Sequence, residues 1–169
     1  MRYEDCARVA EIRTEGWRSA YRGLMPQPYL DALSAAEDAE RQRARFARRA
    51  TGVVDLVAER DGEILGWACH GPYRDDTAEG PEVDADAELY ALYVDPARQG
   101  QGVGQSLLRE SLRARTAAGH PRMLLWVVRG NTRARRFYAH AGFHPDGTEE
   151  PYEVAGALVP EVRYVRGLG

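Results

Sequence analysis

One segment near the middle of the chain combines an apolar strand, a glycine-rich turn and the start of a helix. It runs from Tyr90 to Gly104 and reads YALYVDPARQGQGVG. Because Gly100, Gly102 and Gly104 lack side chains, backbone N–H groups there can approach an anion closely. The following helix points the positive end of its dipole at the same place, and Arg98 adds a positive charge at the rim. The segment therefore predicts a phosphate-binding turn between a strand and a helix.

Two common phosphate-binding motifs do not fit this turn. A P-loop requires Gly-Lys followed by Ser or Thr, and the chain contains no lysine, which excludes nucleotide hydrolysis of that type. A dinucleotide-binding turn requires G-x-G-x-x-G and an acidic residue about 20 positions later. Here the glycines follow G-x-G-x-G, and the corresponding later region, residues 121–124, contains no acid. The spacing from Gln99 to Gly104 is instead Q-x-x-G-x-G.

A second pattern, N-x(6)-Y-x(3)-G-F, runs from Asn131 through Tyr138 to Phe143. With the Q-x-x-G-x-G turn it resembles the GNAT superfamily of acetyl-CoA-dependent N-acyltransferases, and the resemblance covers most of the chain. It implies a single α/β domain over residues 1–169. Its mixed central sheet would be splayed at the fourth and fifth strands and flanked by about four helices. It also implies acetyl-CoA as co-substrate and no metal ion.

The same resemblance implies how the cofactor would be held. The glycine-rich turn would bind the pyrophosphate, while backbone groups of the preceding strand would bind the pantetheine arm like an added strand. Asn131 would also contact that arm, although its position equally suits the N-cap of the following helix. The expected cofactor-binding residues are Leu92, Tyr93, Val94, Arg98, Gln99, Gly100, Gln101, Gly102, Val103, Gly104, Gln105 and Asn131.

Two side chains are candidates for moving protons. An amine must lose a proton to attack a thioester, and Glu88 lies eleven residues before Gln99, where several members of the superfamily place a glutamate base. It could act directly or through water if burial raises its pKa, but it could equally be an ordinary acid at a strand start. Tyr138 would protonate the departing thiolate; its alternative is a half-buried tyrosine packed on the sheet.

The acceptor is expected to be a small-molecule amine. Candidates for its pocket are Trp17, Tyr21, Tyr29 and Tyr73, with Trp67 also considered, although aromatic residues at helical spacing are more often core residues. A long acidic loop over residues 75–88 could attract a cationic acceptor. Two alternatives remain open: acetylation of a protein or peptide, and a non-catalytic acyl-CoA sensor that uses the same site without turnover.

Periodicity and turn signals predict the order of elements. Helices are expected at 4–20, 34–49, 102–118 and 132–141, and strands at 53–59, 63–70, 87–94, 123–128, 143–153 and 159–166. Residues 72–86 are expected to form an exposed loop. The superfamily places a strand before the first helix, and in this chain that strand is expected to be missing or vestigial.

Composition limits the partners. The net charge is -3, so general nucleic-acid binding is not expected, although all 23 basic residues are arginine. No apolar run approaches 18 residues, which predicts neither a membrane span nor a signal peptide. Cys6 and Cys69 are expected to be reduced thiols in a cytoplasmic protein. The C-terminal hairpin is a candidate edge for a homodimer.

Overall fold

The computed structural model describes residues 1–74 and 85–169, so most of the predicted loop over 72–86 lies outside the described residues. A 3₁₀ turn, Tyr3–Asp5, precedes the first helix. The helices are α1 (Cys6–Ala20), α2 (Gln27–Ala32), α3 (Ala35–Ala47), α4 (Val103–Ala117) and α5 (Thr132–His140). The strands are β1 (Val54–Arg60), β2 (Glu63–Pro72), β3 (Ala87–Val94), β4 (Arg122–Val128), β5 (His144–Val154) and β6 (Ala157–Gly167).

The sequence prediction of a mixed sheet is confirmed. The six strands lie in the order β1-β2-β3-β4-β6-β5, and β3 and β4 form the parallel pair. Among the described residues no strand precedes α1, so the two parallel strands are the third and fourth of this sheet rather than the fourth and fifth. Five α-helices flank the sheet, one more than expected. The additional one is α2, because Pro26 and Pro28 occupy its N-terminal end, where proline is tolerated, rather than breaking a helix.

Local sequence signals explain how the elements begin and end. The Ser34 side chain accepts a hydrogen bond from the Glu37 backbone N–H at 3.3 Å and caps α3. The two-residue turn between β1 and β2 consists of Asp61 and Gly62, with φ of 53° and 80°. Positive φ at both turn positions matches the right-handed twist of the two strands, and the Asp-Gly dipeptide adopts this conformation readily. The same conformation recurs between β5 and β6.

Helices cover both faces of the sheet. On one face Leu107 and Leu108 of α4 pack in a core with Ala68 of β2 and Leu125 of β4. On the other face Val9 of α1 packs with Trp67 and Cys69 of β2. Because neighbouring β2 residues serve opposite faces, the strand is buried on both sides. Within residues 1–74 and 85–169, no helix has the length and apolarity that a membrane crossing requires.

Candidate active site

The parallel strands β3 and β4 separate almost as soon as they meet. Their ladder contains only two pairs, Ala87 with Met123 and Glu88 with Leu124. Beyond Glu88 the two strands diverge, and β3 keeps a ladder partner on the β2 side alone. Backbone groups of its second half therefore face an opening in the sheet, as the predicted splay requires.

This opening is a cleft of about 1020 Å³. Its walls come from α1 and the following turn, from β3 and the loop after it, from the end of β4 and the start of α5, and from β5 and β6. A volume of this size suits a ligand with a long arm and leaves room for a second, smaller molecule.

The glycine-rich turn lies at one end of the cleft. Gly100 and Gly102 adopt left-handed φ of 78° and 80°, and no atom lies within 4 Å of where a Cβ would stand on either residue. Gly102 is also the N-cap of α4, so unpaired N–H groups of the first helical turn begin there. Asp95 fixes the turn, because its side chain accepts hydrogen bonds from the Ala97 N–H at 2.9 Å and from Arg8. The turn is thus an open concavity of amides.

Eleven of the twelve residues predicted to bind the cofactor line this one cleft: Leu92, Tyr93, Val94, Arg98, Gln99, Gly100, Gly102, Val103, Gly104, Gln105 and Asn131. Gln101 is the exception, because it lines a shallower cavity of about 380 Å³ between β1 and α4. The Arg98 guanidinium pairs with Glu63 at 2.8 Å, so its charge is partly balanced. Asn131 is the N-cap of α5, as the second of its two predicted roles requires: its Oδ1 accepts a hydrogen bond from the Ala134 N–H at 3.1 Å.

Glu88 reaches the cleft where β3 and β4 part, and it is 3% exposed. Both of its carboxylate oxygens are held by Arg74. The Arg74 backbone N–H and Nε donate to Oε2 at 3.1 and 3.2 Å, and Nη2 donates to Oε1 at 2.6 Å. Such a bidentate ion pair fixes the orientation of the carboxylate.

Tyr138 lines the cleft from α5, and its ring packs edge-on against Phe137 and Phe143. Burial, with a smaller effect of Tyr93, raises the pKa of the Tyr138 hydroxyl well above its ordinary value. The hydroxyl makes no hydrogen bond to any residue in the described ranges. It is therefore a protonated hydroxyl of a cleft-lining residue, without a hydrogen-bond partner among the described residues.

The aromatic residues proposed for the acceptor pocket divide into two groups. Trp17 and Tyr21 line the cleft, whereas Tyr29 and Tyr73 do not. Tyr29 packs behind Trp17, with ring centroids 6.1 Å apart, and the Tyr73 hydroxyl accepts a hydrogen bond from Arg163 at 2.8 Å. Trp67 belongs to the core, where its Nε1 donates to buried Asp55 at 3.0 Å.

Several residues of the cleft wall were missed by the sequence analysis: Arg13, Arg74, Trp126, Tyr152 and Glu161. Glu161 is half-buried on β6, where it pairs with Val128 of β4 and with Glu150 of β5. Burial raises the pKa of the Glu161 carboxyl to about 7, with further contributions from Glu150 and Glu88. In the β6 sequence, charged Glu161 and Arg163 alternate with apolar residues. This alternation was the sequence signal that could have indicated a polar face on the strand.

Known proteins share this sequence pattern and fold. The acetyltransferase (GNAT) family model matches residues 11–143. An uncharacterized N-acetyltransferase of Bacillus subtilis, YuaI, is 30% identical over 98% of this chain and 87% of its own length. A probable N-acetyltransferase of Mycobacterium tuberculosis is 29% identical over 95% of this chain and 87% of its own.

Solved structures show the same fold at lower identity. The PaiA N-acetyltransferase of Thermoplasma acidophilum, crystallised in complex with coenzyme A, superposes with a TM-score of 0.71 at 21% identity, covering 95% of this chain and 94% of its own. The putative acetyltransferase YncA of Salmonella typhimurium, crystallised with acetyl-CoA, gives 0.72 at 21% identity over 100% and 91%. From the splayed sheet, the glycine-rich turn and the family match, this chain belongs to the GNAT family of acetyltransferases.

Proposed function

We propose that the protein transfers the acetyl group of acetyl-CoA to a primary amine of a small molecule, by direct attack while both are bound. The observation that carries this proposal is the convergence on one cleft of the open amide turn, the unpaired half of β3 and the Tyr138 hydroxyl. The coenzyme A found in PaiA and the acetyl-CoA found in YncA support the choice of cofactor.

The residues present fit such a cofactor. The open Cβ positions of Gly100 and Gly102 leave space for a pyrophosphate against backbone N–H groups. Backbone groups of Leu92 to Val94, which have no ladder partner on the β4 side, suit an extended pantetheine arm that would pair with them as an added strand. When bound, acetyl-CoA supplies an activated thioester. A backbone N–H at Val94 would polarise its carbonyl, and no described cysteine belongs to this machinery.

Tyr138 is proposed to donate its proton to the departing sulfur. Its raised pKa keeps the hydroxyl protonated at neutral pH, so it is available as an acid whenever the thiolate leaves. The amine proton requires a base, and two carboxylates that line the cleft, Glu88 and Glu161, are the candidates for it. Glu88 is the residue that the family resemblance favours.

The shape of the acceptor side supports a small molecule. Trp17 of α1 meets Tyr152 of β5 with ring centroids 6.5 Å apart, and both rings line the cleft. The two elements thus close over this side of the opening, which leaves less room for a folded protein chain than for a slender amine. Tyr21 packs edge-on against Trp17 at 5.0 Å and extends the same aromatic wall.

The proposal is tested by incubating the protein with acetyl-CoA and a panel of amines that includes spermidine, tyramine, an aminoglycoside and a peptide with a free N-terminus. Release of free coenzyme A thiol reports turnover, and calorimetry reports cofactor affinity. Turnover with at least one small amine is expected. Tyr138→Phe should then lower kcat by about 100-fold or more while the affinity for coenzyme A is kept.

The matched control is Tyr3→Phe, a change at an exposed tyrosine remote from the cleft lining, which should leave both values unchanged. Coenzyme A binding without turnover on any amine would instead indicate a sensor. Preference for the peptide would favour a protein or peptide acetyltransferase.

A further inference from the structure

The two carboxylates of the cleft wall have very different surroundings. Glu88 makes three hydrogen bonds to Arg74, so both of its oxygens are engaged with a cation. To accept a proton from an amine, this carboxylate would have to give up hydrogen bonds that Arg74 donates to it. The Glu88 side chain is 4% exposed, whereas that of Arg74 is 61% exposed, so only the carboxylate end of the pair is shielded from water.

Glu161 has no such partner. Within residues 1–74 and 85–169, no arginine or histidine forms an ion pair with it. It projects from β6 beside Val128, which is the last residue of β4 and lies three positions before Asn131. Glu161 lines the same cleft as Tyr21, Tyr93 and Tyr138. The free carboxylate and the proposed acid therefore border one continuous space.

Two charged groups act on the Glu161 carboxyl from neighbouring strands, Glu150 of β5 and Glu88 of β3, and both disfavour a second negative charge. The titratable groups Tyr21, Tyr93 and Tyr152 line the same cleft. Arg13 of α1 also lines it, but its guanidinium pairs with Asp38 at 2.7 Å and lies over the Trp17 ring. The site thus favours a carboxylate that gains and loses its proton readily.

We propose that Glu161 is the general base of the reaction and that Glu88, fixed by Arg74, is a positioning residue. This inference rests on the proposed acetyltransferase function. Glu161 takes a proton from the amine, directly or through one water, as the N–C bond forms and the C–S bond breaks. The thiolate receives the Tyr138 proton. The proton on Glu161 then passes to solvent and Tyr138 is reprotonated, so no net charge accumulates.

The physical reason is the match between base strength and working pH. A carboxylate with a pKa of about 7 is both substantially ionised at neutral pH and basic enough to bind a proton, whereas both oxygens of Glu88 already accept hydrogen bonds from Arg74. Of the two carboxylates among the described cleft-lining residues, Glu161 is the one without an ion pair, so it is available to a positively charged amine on the aromatic acceptor side.

The test compares Glu161→Gln with Glu88→Gln and with the matched control Glu153→Gln, an exposed glutamate on β5. The rate of thiol release is measured against pH with the best amine of the panel. Glu161→Gln is expected to lower kcat/KM at pH 7 by about 100-fold or more and to abolish the acidic limb of the profile near pH 7. Glu88→Gln should keep that limb, whatever its effect on rate, and Glu153→Gln should match the parent.

A second measurement needs no amine. Infrared spectra of the protein should contain a carboxyl band that titrates near pH 7, absent in Glu161→Gln and present in Glu153→Gln. Loss of the limb and the band in Glu88→Gln, or their persistence in Glu161→Gln, overturns the assignment. Failure of the parent protein to bind coenzyme A or to acetylate any amine defeats the proposed function instead, so the two failures are distinguishable.

Discussion

Gly16 of α1 lies directly against the ring of Tyr93 on β3, so that a Cβ on Gly16 would stand 2.8 Å from Tyr93 Cδ1. The ring has little freedom to retreat, because it stacks on Trp67 at 6.3 Å with an interplanar angle of 11°. The glycine thus sets how closely the first helix approaches the splayed strand.

Gly16→Ala should therefore destabilise the protein, although alanine in a helix normally stabilises by about 1 kcal/mol relative to glycine. The added methyl overpacks the Tyr93 contact, and we expect a net loss of about 1 to 3 kcal/mol in the free energy of unfolding by urea denaturation. Glu15→Ala, at an exposed position of the same helix, should change it by less than about 0.5 kcal/mol. An increase in stability for Gly16→Ala would show that the helix moves freely.

Gly102 and Gly62 provide a matched pair for testing the phosphate turn. Both have φ of 80° and open space where a Cβ would stand, but only Gly102 lines the cleft. Each change to alanine should cost about 1 to 2 kcal/mol of stability through left-handed strain. Only Gly102→Ala should also weaken coenzyme A binding measured by calorimetry, because its methyl would occupy open space in the cleft lining beside the amide turn. Equal affinities in the two variants would contradict a pyrophosphate site there.

His70 should make stability depend on pH. It is fully buried on β2 with neither ring nitrogen bonded to a described residue, and burial, reinforced by Arg115, lowers its pKa from 6.5 to about 4. The unfolded chain binds a proton below pH 6.5, whereas the folded protein does so only near pH 4. The free energy of unfolding should therefore fall by about 2 to 3 kcal/mol as the pH drops across this window.

His70→Leu should remove the part of the pH dependence that comes from His70. The measurement is the difference in the free energy of unfolding by urea between pH 7.5 and pH 4.5. The exposed His144 serves as the comparison, because His144→Gln should retain the full pH dependence of the parent. A parent and a His70→Leu variant with the same pH dependence would show that His70 is protonated in the folded state.

Glu150 offers a graded test of the proposed base. It is an exposed glutamate opposite Glu161 and raises the pKa of that carboxyl. Glu150→Gln should move the acidic limb of the kcat/KM profile to lower pH by about 0.5 unit or less, because exposed charges are screened. The shift should shrink in high salt. A limb that moves upward, or that stays fixed at low salt, would argue against Glu161 as its origin.

Much of the fold was predictable because local signals agreed with it. Asp61-Gly62, Ser34 and Asn131 each mark a turn or a helix start by their own backbone preferences, and all three are used in that way. The short α2 was not predicted. Proline breaks a helix in its interior but is accepted in its first turn, and the sequence pattern did not show in which of these places Pro26 and Pro28 lie.

The shared location of the residues proposed to bind the cofactor has a related reason. All but Asn131 lie between residues 92 and 105, so the strand and the glycine turn bring them to one cleft. Glu161 and Arg74 were not predicted because their roles come from pairing across the sheet. Nothing in the β6 sequence indicates that residue 161 stands opposite residue 128, and nothing near residue 74 indicates a contact with Glu88.

The split between β3 and β4 divides the cleft between separate stretches of the polypeptide. The amide turn and the half-paired strand come from the middle of the sequence, whereas the opposite rim is formed by Trp17 and Tyr21 on one side and by Tyr152 and Glu161 on the other. Changes confined to these outer stretches would leave the amide turn intact. Such a layout would let the proposed cofactor site stay constant while the acceptor side changes through mutations in two remote parts of the gene.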